Sequence, residues 1–170
     1  MIGSAVGDVL EYMPYGLYIV GSKMDSECNG MMADWVMQVS FKPHMLAVAF
    51  ENDAQTLANI RETGVFTVNF LSQGERGMHL AARFAQPYFA SKVGGPTKRG
   101  VHHKLEEIDY RPSGSGCPIL TGAMGWVECR AVNFVPAGDH TLVIGEALDG
   151  RLVHEEEPLT STFTGWNYSG

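Results

Sequence analysis

The sequence predicts a mainly β fold, an antiparallel barrel of at least six strands with short helices at its periphery. Three observations predict it. Short β-branched and aromatic runs recur along the chain with turn residues between them. Glycine occurs 20 times in 170 residues, as a chain of many tight turns requires. Helical periodicity is confined to brief stretches near the N-terminus and in mid-chain.

Taken in order, Val6, Val9, Leu10 and Met13 recur at helical spacing behind Ser4, a candidate N-cap, and Pro14 stops the helix. Tyr15 to Ser22 reads as the first strand, followed by a polar segment from Lys23 to Asn29. Asn29-Gly30 then reads as a tight turn, and Val36 to Phe41 as a half-buried strand. In that strand Val36, Gln38 and Ser40 share one face, and Met37, Val39 and Phe41 the other. After Pro43, the unbroken apolar run Met45 to Phe50 reads as a strand covered on both sides. Asn52 to Thr56 leads into a short helix with Leu57 and Ile60 on one face and Gly64 as its C-cap. Val65 to Leu71 is a further strand. Ser72-Gln73-Gly74-Glu75 has capping-box spacing ahead of a helical pattern at Met78, Leu80, Ala81 and Phe84. Ala85 to Leu105 contains no acid but carries Lys92, Lys98, Arg99 and Lys104, and reads as a long loop. Two long β segments, Gly122 to Pro136 and Asp139 to Asp149, flank a turn, and Leu159 to Gly170 has little pattern.

Composition narrows the functional classes. The length fits one domain over residues 1–170, and 45% apolar with 18% charged residues describes a folded chain. A net charge of −7 argues against nucleic-acid or anionic-membrane partners. No apolar run reaches the roughly 20 residues of a membrane span, and no basic residue precedes Lys23, unlike a secretory signal. Cys28, Cys117 and Cys129 are isolated and odd in number, which points to reduced thiols in the cytoplasm. His102-His103 lacks metal-ligand spacing with any cysteine, so no metal is expected, and no GxGxxG follows a strand.

Several short motifs occur in one order: Pro14-x-Gly16-x-Tyr18-x-Val20, then Asn29-Gly30-Met31-x-Ala33-x-Trp35-x-x-Gln38-Val39-Ser40, then Pro43 before an apolar strand. Thr56 before a helix, Gly64-x-Phe66-x-Val68-Asn69, and Gly138-Asp139-His140 with Gly145 complete the set. From about Pro14 to Gly145 the chain resembles the flavin reductase-like family of FMN-binding split barrels. The resemblance implies a six-stranded Greek-key split barrel, a homodimer, and FMN (or FAD) bound near the dimer interface. It also implies hydride transfer from NADH or NADPH to the flavin, and delivery of electrons to free flavin, a partner monooxygenase or another acceptor. The alternatives are a non-catalytic FMN-binding electron carrier reduced by another protein, or a split barrel holding haem or pyridoxal phosphate. In a flavin enzyme the cofactor carries the chemistry and the protein binds and orients it, which accords with the lack of a nucleophile triad.

Carried over residue by residue, Met31, Met32, Ala33, Asp34 and Trp35 would lie along the isoalloxazine, with Gln38, Val39 and Ser40 nearer the ribityl chain. Asn52, Gln55 and Thr56, at a strand-to-helix junction, would hold the phosphate, where helix N–H groups favour an anion. Arg83 or a lysine of the 92–104 loop would add positive charge. Asn69 belongs to a matching strand motif, and Trp166, with Tyr168, would pack over the flavin, across the dimer or on the barrel. His140 would face the nicotinamide as the catalytic residue. The resemblance departs at Met32 and Asp34, where relatives usually carry hydroxyls. An ionised Asp34 at the ring would oppose reduced flavin; the same residue also suits an ordinary turn.

Overall fold

The computed structural model describes residues 2–92 and 104–166. Helix α1 (Ile2–Leu10) precedes strands β1 (Tyr18–Met24), β2 (Glu27–Ala33), β3 (Val36–Phe41) and β4 (His44–Glu51). Helix α2 (Gln55–Thr63), strand β5 (Val65–Phe70) and helix α3 (Glu75–Lys92) follow. A small pair, β6 (Tyr110–Pro112) and β7 (Pro118–Leu120), leads to the long hairpin β8 (Gly125–Ala137) and β9 (His140–Leu152), then the helical turn α4 (Ser161–Thr164).

One antiparallel sheet holds seven strands in the order β2-β1-β5-β8-β9-β4-β3. Its two edge strands, β2 and β3, are consecutive in the chain with Asp34 and Trp35 alone between them. Three Cα steps span at most about 11 Å, so the sheet must curl until its edges meet at that end. They do not pair along their length. The result is a split barrel, open between β2 and β3 and pinned at the Asp34-Trp35 corner.

Both sides of the sheet are buried near β1. Val20, Val48, Phe50, Phe66, Val68 and Val143, with Leu57 and Ile60 of α2, fill the barrel. Ile19, Leu71, Leu80, Ala81, Phe84 and Leu159 form a second cluster between the sheet and α3. Alternation explains the split: neighbours Ile19 and Val20 point to opposite faces, and each face has its own cover.

Three expectations are corrected. Asn29-Gly30 lies inside β2, and the turn falls at Asp25, whose φ is 52°. Gly30 is small for a packing reason: a Cβ there would sit 2.7 Å from the Phe84 ring of α3. The expected loop from Ala85 begins as the C-terminal half of α3, and residues 93–103, with Lys98, Arg99, His102 and His103, lie outside the described residues. The sheet has seven strands, above the expected minimum of six; the one not foreseen is β2 (Glu27–Ala33), in the segment read as polar and turn, and β6 and β7, outside the sheet, are three residues each, too short for periodicity to show. Val36–Phe41 and the Gly64 C-cap (φ 73°, N–H to the Ile60 carbonyl at 2.8 Å) agree with expectation.

Candidate functional site

Three segments far apart in sequence meet at the pinned end of the barrel. The Asp34-Trp35 corner joins β2 to β3, and its Trp35 carbonyl accepts from the Ala49 N–H of β4 at 3.0 Å. The β4–α2 corner carries Asn52. The β8–β9 turn carries His140, which pairs with Glu51 across the β4–β9 ladder. Asn52 ties the last two together. Its N–H donates to the Asp139 carbonyl at 3.0 Å and its side-chain amide to the Gly138 carbonyl at 3.2 Å. Its side-chain oxygen accepts from Thr141 at 2.8 Å. Gly138 adopts φ 67°, the left-handed conformation that this tight turn needs. Aromatic contacts join the first segment to the third: Trp35 lies 4.7 Å from the His140 ring and 6.4 Å from Tyr15, centroid to centroid.

His140 is only 8% exposed, and its Nδ1 lies 2.6 Å from the carboxylate of Asp139. Asp34 is half-buried beside it. Burial pushes its carboxyl up to about 6, against the pull of backbone N–H groups at Asp34 and Trp35 and of the His140 charge. Arg61 of α2 rests 4.8 Å over the Phe134 ring and donates to Thr141 at 3.4 Å, which places a guanidinium at the same end.

The phosphate candidates divide. Helix α2 starts at Gln55 behind Ala54, an N-cap with extended backbone and no side-chain cap hydrogen bond. Ala54 thus offers the first-turn N–H groups no side-chain acceptor, a setting that an anion favours. Thr56 is buried in that first turn, and the Gln55 amide donates to Asn59 at 2.9 Å. Asn52 is engaged with the β8–β9 turn as described.

Along the stretch expected at the edge of a flat ligand, Met31 and Ala33 pack into the barrel while Met32 packs toward α3, so only their backbone lies along the corner. A bulge between Gln38 and Ser40 interrupts the β3–β4 register at Val39, and Gln38 donates to the Ser40 carbonyl at 3.1 Å. Gln38 also borders a cleft of about 440 Å³ with Met45, Leu46 and Phe70, a size that suits a small organic ligand.

Three expected site residues are engaged elsewhere. Asn69 is fully buried, donating to the Ile19 and Pro118 carbonyls at 3.1 and 3.2 Å and accepting from the Leu120 N–H at 2.8 Å. Its hydrogen bonds pin the β6–β7 arm to the sheet. Arg83 donates to the Glu106 carbonyl at 3.1 Å, and Trp166 packs on the second apolar cluster. Tyr168 lies outside the described residues. Sequence reasoning missed Tyr15 and Arg61, and it took Asp139 only as part of the Gly138-Asp139-His140 motif, without a role at the site. Among the described residues no three His, Cys, Asp or Glu side chains converge to hold a metal ion.

The chain has clear relatives. It is 31% identical to a ferric-chelate reductase (NAD(P)H) of Archaeoglobus fulgidus, over 86% of this chain and 80% of that protein. It is 29% identical to a flavin reductase (NADH) of Kitasatospora aureofaciens, over 87% of this chain and 71% of the relative. Some relatives are much longer, and the chain spans 26% of a diflavin flavoprotein of Nostoc. Its fold superposes on a flavin reductase crystallised with NADP+ at a TM-score of 0.78 and 22% identity, covering 99% of this chain and 97% of the other. Residues 10–167 match the flavin reductase like domain, and the chain belongs to that family.

Proposed function

We propose that the protein is an NAD(P)H-dependent oxidoreductase that binds FMN at the pinned end of the barrel and works as a cytoplasmic homodimer. The convergence of the Asp34-Trp35 corner, the uncapped start of α2 and the His140 turn carries this reading. The residues present fit the cofactor. The first-turn N–H groups of α2, at Gln55 and Thr56, suit the phosphate, and the backbone from Met31 to Trp35 suits the polar edge of a flat ring. Gln38, Val39 and Ser40, at the β3 bulge, suit the ribityl chain. Bound flavin would accept hydride from the nicotinamide and pass electrons onward. The protein's part is to hold the ring, exclude water and present His140 where the nucleotide docks. The Archaeoglobus ferric-chelate reductase (NAD(P)H) and the Kitasatospora flavin reductase (NADH) support a pyridine-nucleotide donor.

A second copy is favoured by the surface of β3, whose Met37, Val39 and Phe41 are all exposed, Phe41 by 84%. An apolar edge strand left in water is a liability. Covering it with another protomer would also wall the cleft beside Gln38. No helix of the described residues is long and apolar enough to cross a membrane.

The reading is tested by adding FMN to flavin-free protein and following flavin fluorescence, then mixing with NADH or NADPH without oxygen. The protein should take up FMN stoichiometrically. His140→Ala should slow flavin reduction by at least about tenfold while retaining FMN. Unchanged reduction kinetics in that variant would remove His140 from the site.

A further inference from the structure

A second cavity lies on the flank of α2 that faces the β1–β2 hairpin. It measures about 620 Å³ and is bounded by that hairpin, the start of α2 and residues 104–110. Two of its walls continue the flavin site. Asn29 stands on β2 two residues before Met31, and Gln55 is the first residue of α2. Asn59, one helical turn on, extends the second wall; it accepts from the Gln55 amide at 2.9 Å and donates to Ser22 at 3.1 Å. Among the described residues neither Asn52 nor His140 lines the cavity. It therefore runs on from the phosphate end of the flavin, on the side away from the nicotinamide.

The third wall brings a positive charge. Lys104 is half-buried there and makes no hydrogen bond or ion pair among the described residues. Burial pulls its ammonium below the ordinary lysine range, so an anion is the partner that would restore the charged form. Tyr110 is exposed at the mouth and supplies a ring on which a flat base can stack. Glu27 and Glu106 also line the cavity, but both are exposed, so water screens their charges more than that of Lys104. Carboxylates so placed suit the hydroxyls of a ribose, which donate to them.

We propose that this cavity takes the adenosine monophosphate half of FAD, with Lys104 on its phosphate, so that the protein binds the dinucleotide flavin in preference to FMN. This rests on the site reading above, which seats the first phosphate at the start of α2. FMN ends at that phosphate and leaves Lys104 without a partner; FAD continues past it with a second phosphate and a nucleoside.

The test titrates the flavin-free full chain with FMN, FAD and ADP by calorimetry. FAD should bind at least about tenfold tighter than FMN, and ADP, which carries both phosphates and the adenosine, should compete with FAD. Lys104→Met should weaken FAD by about tenfold or more and FMN by no more than about twofold, since a charge-assisted phosphate contact is lost. Lys104→Arg should keep the preference, and Tyr110→Ala should lower FAD affinity without touching the lysine. Equal wild-type affinity for the two flavins, or equal loss of both in Lys104→Met, would overturn the proposal and leave the FMN site standing. A Lys104→Met variant that keeps its FAD affinity but shows a raised KM for NADH or NADPH would give the cavity to the pyridine nucleotide, and the proposal would fall. Failure of both flavins to bind would overturn the site reading instead. ADP alone then decides the cavity: binding that Lys104→Met abolishes supports a subsite for adenosine phosphates, and no binding overturns it.

Discussion

Asp34 is destabilising where it stands. A carboxyl raised from 3.8 to about 6 by burial favours folding only while it is protonated, and that contribution is lost as pH rises through about 6. Asp34→Asn should therefore be more stable than wild type at pH 8, by about 1–2 kcal/mol after allowance for solvent screening, with no advantage below pH 4. Urea denaturation at the two pH values checks this. Glu128 on β8 behaves in the opposite sense. Burial opposes its charge, but hydrogen bonds from the hydroxyls of Ser113 and Ser115 and from the Ser115 N–H (2.7 Å) win and hold the carboxyl below its ordinary 4.5. These bonds clamp the loop before β7. Glu128→Gln should cost about 1–3 kcal/mol at pH 7, and the difference should shrink as pH falls below about 4.5.

At the scale of elements, helix α2 is where binding and stability separate. Ala54 has the extended backbone of an N-cap but no side chain to cap with. Ala54→Asp should stabilise the protein by about 0.5–1 kcal/mol and weaken FMN by at least about tenfold, with riboflavin, which lacks the phosphate, much less affected. Equal loss for both flavins would place the phosphate elsewhere. Gly30 makes a related point about β2. Its Asn-Gly sequence signals a turn, yet the residue is a strand position where the Phe84 ring of α3 leaves no room for a Cβ. Local sequence carries turn propensity but not the approach of a helix from fifty residues away. Gly30→Ala should cost about 1–3 kcal/mol by chemical denaturation.

For the whole molecule, the barrel was legible because alternation survives in β3 and β5, because β4 is an unbroken apolar run of strand length, and because Gly64 sits at a helix end that only a left-handed residue completes easily. The site was partly legible. His140 and Trp35 could be named from motif order, but their tilted ring contact depends on Asn52 stitching one corner to another, a long-range bond with no local trace. Asn69 is a motif residue whose side chain is spent on architecture. The exposed face of β3 sets the remaining expectation. Phe41→Glu combined with Met37→Asp should yield a monomer by analytical ultracentrifugation and weaken FMN binding, because one wall of the cleft would be lost. The central claim, that this end of the barrel passes hydride from a nicotinamide to bound flavin, is tested most directly by anaerobic stopped-flow mixing of the FMN-loaded protein with NADH or NADPH. Rapid loss of oxidised-flavin absorbance with at least one nucleotide is the predicted result. Bound FMN that neither nucleotide reduces would contradict it.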